Sequence, residues 1–221
     1  MSNFLIKKNW KHLQNTEIEV AILPWGATEA HNLHLPYGTD TLLAEYFSDK
    51  AVEYLGKNKE GIVILPSIPY GVNTAQIDVL CNINMNHSTQ FLVLKDIVES
   101  LERQSIHKLI IVNSHGGNSF VPIIREILIK FDVFIVLVNT YQSLNADKYF
   151  EDPGDHAGEM ETSLMMHIHP ELVLPLTQSG SGSYKKFKVK SLNEDWCWAQ
   201  REWLKVTEDN GIGNPALATK E

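Results

Sequence analysis

The chain has 221 residues, 43% hydrophobic and 21% charged, a balance that suits one soluble globular domain able to bury a good core. Its formal net charge is -8, with 27 acidic residues against 19 Lys and Arg, so nucleic acid is not an expected partner. Two cysteines without C-x-x-C spacing, Cys81 and Cys197, argue against a disulfide framework or a cysteine-rich zinc site, and no apolar stretch nears the roughly 20 residues of a membrane span. The expectation is a cytoplasmic protein with no membrane segment.

The first predicted strand is "IEVAILPWG", a β-branched, apolar run that ends in Gly. The spacing of Leu42, Leu43, Tyr46, Phe47, Val52 and Leu55 predicts a helix over "TDTLLAEYFSDKAVEYLGKN". "GIVILPSIPYG" reads as a second strand, and "STQFLVLKDIVESLERQ" as a helix capped by Ser88. "KLIIVNSHGG" reads as a third strand. "SFVPIIREILIKF" follows as a helix that tolerates Pro122 in its first turn. "DVFIVLVNTY" is the fourth strand and "AGEMETSLMMHI" the fourth helix, after which a short strand is predicted at "KKFKVKSL". Continuously apolar strands alternating with helices imply an α/β fold with a mainly parallel sheet covered on both faces, residues 1–221 forming one domain.

In such folds ligands sit at the carboxyl ends of the strands. Glu29, His31 and Asp40 follow the first strand, His115 the third, and "DPGDHAGEMET" the fourth. Glu29-x-His31-x8-Asp40 offers one imidazole and two carboxylates, donors that zinc, manganese and iron accept. The bland alternative makes Asp40 or Thr39 a helix cap and Glu29 a solvated loop residue. "NSHGGNS" places His115 between strand and helix; the alternatives are a phosphate cradle, for which the Walker Lys and spacing are missing, and a plain turn, which needs only the glycines. In "DHAGEMETSLMMHIH", Glu161 shares a helical face with Leu164, Met165 and Ile168, while Glu159 falls opposite. A carboxylate on an apolar stripe needs a cation, either a metal or a Lys or Arg. His156, just before that helix, is placed to act as a general acid without being a ligand.

Together, "LPWGATEAHNLHLPYGTD", "NSHGGN" and "HAGEMETS" resemble the creatininase (creatinine amidohydrolase) family, in the same order and over most of the chain. The tail "GIGNPALATKE" resembles that family's Gly-x-x-Gly-Asp-Pro stretch, with Asn214 in place of Asp; in the family a last helix would be starting at "ATKE". The resemblance implies a three-layer α/β/α, creatininase-like fold, two divalent ions per chain (Zn or Mn, with Fe as a further option), and a homo-oligomer, often a hexamer. Carried over by position, it implies that Glu29 and His115 bind one metal, His31 and Glu161 the other, Asp40 bridges them, and His156 is the acid–base residue. Creatinine-hydrolysing members carry Tyr and Glu where this chain has Gly116 and Gly117, so those glycines are assigned to the substrate side and creatinine itself is disfavoured. Trp196 and Trp198 lie outside the motifs, and nothing in the sequence places them at the site. The expected activity is metal-dependent hydrolysis of a C–N bond in a small amide. The alternatives are a hydrolase or isomerase acting on a sugar-like cyclic substrate, and an inactive family member that keeps the fold.

Overall fold

Four short aliphatic runs become the strands of one parallel sheet, β1 (Val20–Trp25), β2 (Ile62–Ile64), β3 (Lys108–Asn113) and β4 (Phe134–Asn139), in the order β2-β1-β3-β4. The structure is a computed structural model that describes residues 2–194 and 196–220. Two compact units divide the chain: unit 1 is Met1–Thr28, Asp40–Val72 and Asn84–Leu144, and unit 2 is Glu29–Thr39, Asn73–Ile83 and Asn145–Glu221. Among the described residues no helix is long and apolar enough to cross a membrane.

Unit 1 holds the sheet and its helices. These are α1 (Trp10–Leu13), α2 (Thr39–Tyr54, all but its first residue), α3 (His87–Arg103) and α4 (Phe120–Ile127). Alternate residues of the central strands feed two cores. Ala21, Leu23, Trp25, Leu109 and Ile111 pack with Leu94, Val98 and Leu101 of α3 and with Phe120, Ile123 and Ile127 of α4. Ile22, Ile64 and Val112 face the other way and pack with Ala44 and Val52 of α2. Full burial of such side chains contributes roughly 1.5–3 kcal/mol each, which is why the strands read as unbroken apolar runs. Trp25 is fully buried, 4.8 Å edge-on from the Phe120 ring.

A proline inside a central strand looks like an error, and its place in the ladder explains it. Ile22 and Pro24 turn their carbonyls toward β2, accepting from Leu65 (2.8 Å) and Ile68 (3.0 Å). The β1–β2 pairing ends at Ile22↔Ile64, so the N–H that Pro24 lacks would have met no strand. Helix α3 starts at His87, with Asn86 rather than Ser88 at its cap. The Asn86 carbonyl accepts from Thr89 and Gln90, both at 2.9 Å. Helix α4 stops at Ile127, short of the predicted Phe131.

Unit 2 is poorer in regular structure, with α5 (Glu159–Ile168), α6 (Trp203–Val206) and several 3-10 turns. "KKFKVKSL" is no strand: Val189 is 58% exposed and a 3-10 turn occupies Lys190–Asn193. The alternation of Lys with Phe and Val imitates a strand, but Val189 has no core face to bury against.

Candidate metal centre

In unit 1, β3 delivers His115 two residues after its last residue, Asn113. A directional amide network fixes the turn. The Val72 N–H can only donate, so the Asn118 atom it meets at 3.1 Å is Oδ1, which Gln90 Nε2 also reaches at 2.7 Å. Asn118 Nδ2 then donates to Asn113 Oδ1 (2.9 Å), and Asn113 Nδ2 to the His115 carbonyl (3.1 Å). The His115 ring is set from the same side. Its Nε2 lies 3.0 Å from the Val72 carbonyl, which only accepts, so Nε2 carries the hydrogen.

His115 Nδ1 is thereby turned toward Asp40 Oδ2, at 3.0 Å. A proton or a cation between the two atoms makes that contact favourable. Both residues are buried, Asp40 at 1% and His115 at 6% exposure. Of the two glycines that follow, Gly116 faces open space. Gly117 does not: a Cβ there would stand 2.3 Å from the Val72 carbonyl and 2.5 Å from His115 Nε2. Its bare Cα permits the very contact that orients His115. Tyr141, just beyond β4, has its phenol pushed above the usual range by burial, with His115 opposing and Asp40 adding to the shift; nothing in the sequence marked it.

Unit 2 repeats the device twice. His31 Nδ1 lies 3.1 Å from the Glu29 carbonyl, leaving Nε2 4.0 Å from Glu29 Oε1. His156 Nε2 lies 2.9 Å from the Ala30 carbonyl, leaving Nδ1 3.8 Å from the same Glu29 oxygen. Ligand atoms of Glu29, His31 and His156 fall within 4.8 Å of one another, as do those of His31 and Glu161. The His31 and His156 rings stand 4.1 Å apart. Imidazoles that give one N–H to a backbone carbonyl and aim the other nitrogen at carboxylates are the usual setting of metal-ligating histidine. The donor set of nitrogen and oxygen fits zinc or manganese.

Local backbone holds these side chains. His156 pairs with Ile212 through two backbone bonds, of 3.1 and 2.8 Å, so the "GIGN" stretch clamps it. Trp203 packs edge-on to its ring at 4.8 Å, whereas Trp196 and Trp198 are 75% and 81% exposed. Ala157 adopts φ 50°, a strained value for a residue with a side chain. Its N–H donates to Glu161 at 2.6 Å, tying the turn to the start of α5. The helix phasing differs from the sequence expectation. Glu159 is buried, accepting the Asp152 N–H at 2.8 Å, and Glu161 is only half-buried. The loop before α5 covers its first turn, a contact that apolar spacing does not encode.

His34 is a fourth buried histidine. Burial lowers its pKa from 6.5 to about 4, helped by neighbouring His31 and opposed by Asp209. Its Nε2 meets Thr162 Oγ1 at 2.9 Å. With the folded pKa below the unfolded one, the unfolded chain takes up the proton first as pH falls. Stability is unaffected above about pH 7 and is lost between about pH 6.5 and 4, by roughly 3 kcal/mol in full. His34→Gln should remove that loss, so denaturation curves of the two proteins should converge as pH falls across this window. Parallel pH slopes would show that His34 carries no such linkage.

The family model described as creatininase, creatinine amidohydrolase, matches residues 7–221. The chain is 41% identical to a Bacteroides fragilis NCTC 9343 protein of known structure, provisionally assigned as a creatinine amidohydrolase. That match has a TM-score of 0.93 and covers 98% of this chain and 87% of the other. The mycofactocin precursor peptide peptidase of Mycolicibacterium smegmatis is 27% identical over 161 residues, 71% of this chain and 61% of that protein. The chain thus spans under two thirds of that curated relative. A mutant creatininase of Zn-Zn type, 20% identical, shares the fold with a TM-score of 0.78 over 99% of this chain and 90% of the other.

Proposed function

The chain belongs to the creatininase family, and from that premise we propose that it is a metal-dependent hydrolase that cleaves the C–N bond of a small amide or short peptide. The observation that carries the proposal is the threefold pattern of His115, His31 and His156, each giving one ring N–H to a backbone carbonyl and aiming its other nitrogen at a carboxylate. Glu29 and His115 would hold one divalent ion, His31 and Glu161 a second, with Asp40 shared. Two such ions, when bound, supply polarisation of the scissile carbonyl and acidification of the attacking water.

The chain's own residues do the rest. His156 Nδ1 is its working nitrogen, because Nε2 is committed to Ala30. It takes a proton as water adds to the carbonyl and returns it to the leaving nitrogen as the C–N bond breaks. No protein nucleophile is required; Ser114 lacks the Gly-x-Ser-x-Gly elbow. The open space beside Gly116 favours a substrate longer than creatinine, and the similarity to a peptide peptidase points the same way. The same reading makes the protein a cytoplasmic homo-oligomer, hexameric as the family resemblance implies.

Elemental analysis of protein purified without chelator should find close to two zinc or manganese ions per chain. In a steady-state panel of creatinine, formamides, lactams and short peptides, creatinine should fall below about 10⁴ M⁻¹s⁻¹, the lower end of ordinary enzyme efficiency, and below the best open-chain amide. Chelator-insensitive protein with well under one ion per chain would remove the metal mechanism and leave a scaffold that has lost catalysis. Turnover of a sugar-like cyclic compound alone would remove the amide.

A further inference from the structure

Glu29 accepts a hydrogen bond from a side-chain amide. Its Oε2 accepts from Gln76 Nε2 at 2.9 Å, while its Oε1 is the oxygen nearest His31 and His156. The Gln76 amide cannot be turned round, because a chain of one-way bonds fixes it. The Ala30 N–H only donates, so the Asn82 atom it meets at 2.8 Å is Oδ1. Asn82 Nδ2 must then be the atom 3.0 Å from Gln76, and it meets Oε1. Gln76 is left with its Nε2 toward Glu29. The Ala30 carbonyl closes the circuit by accepting from His156 Nε2. Gln76 is 4% and Glu29 1% exposed, so water does not substitute for these bonds at little cost.

We propose that Gln76, oriented by Asn82, is a positioning residue that occupies one oxygen of Glu29 and thereby makes it a one-oxygen ligand through Oε1. This rests on the metal reading above. The physical reason is that a carboxylate with both oxygens unengaged can rotate and chelate one ion in two-oxygen fashion, which would change the ion's coordination. A donor on Oε2 removes that option, costs no charge, and transmits the Ala30 backbone geometry to both Glu29 and His156. Loss of such outer hydrogen bonds typically weakens metal binding 10- to 100-fold.

The test uses the purified protein and Gln76→Met, which keeps the length of the side chain and removes the donor. Stepwise zinc affinities are measured by competition with a chromophoric chelator, and visible spectra are recorded after cobalt substitution. One of the two affinities should fall 10- to 100-fold with an altered cobalt spectrum, the other staying within about threefold. Asn82→Asp, which keeps the acceptor for Ala30 but removes the donor to Gln76, should reproduce the same one-site loss if Gln76→Met folds poorly. Unchanged affinities and spectrum, or an equal loss at both sites, overturn the proposal. Wild-type protein that binds no zinc would instead overturn the metal reading, so the two failures are distinct.

Discussion

Replacing His156 by glutamine is expected to leave both metal ions bound and to lower kcat by about 10²- to 10⁴-fold, the usual worth of a positioned acid–base group. Glutamine can still donate an N–H toward the Ala30 carbonyl, as His156 Nε2 does at 2.9 Å, and can still lie against Trp203. What it cannot do is exchange a proton at the position of Nδ1. The loss should therefore appear in kcat, with the limb of the pH–rate profile that reports this group removed. The structure makes the experiment decisive, because Nδ1 stands 3.8 Å from Glu29 Oε1 and His156 belongs to one of the groups whose geometry suits a metal. If elemental analysis shows that an ion leaves with the imidazole, His156 is a ligand and the proton must be handled by another residue.

The parts of this protein that were legible in its sequence are those governed by repetition. Ile22, Leu23, Ile110 and Ile111 announce a buried parallel sheet because both faces of each strand meet helices. Glu29, His31, Asp40, His115, His156 and Glu161 announce a site because they sit in three motifs next to strand ends or a helix start. Gln76 and Asn82 announced nothing. They lie in the irregular segment Asn73–Ile83 of unit 2, and amides in loops carry no periodicity; only the donor–acceptor order gives them meaning. Glu159 was misplaced for a related reason, since Asp152 and its loop, not an apolar stripe, bury it. Gly117, assigned to the substrate side from the sequence, is also needed for the close packing of His115 on Val72, a contact that a motif does not show.

Asp40→Asn should have the largest effect on the metal. Content should fall from about two ions to one or fewer per chain, and activity by about 10³-fold or more, equivalent to roughly 4 kcal/mol of barrier. Asparagine has the shape of aspartate without its charge, so what is lost is the shared carboxylate and not the packing. Wild type alone should gain stability on adding zinc, as a protein does when a ligand binds only its folded form. Glu159→Gln supplies the contrast. That buried carboxylate accepts the Asp152 N–H and is no proposed ligand, so its loss should leave two ions bound. Retention of two ions by Asp40→Asn would deny the bridge, and an equal loss of ions from Glu159→Gln would show that Asp40 has no special place among the buried carboxylates.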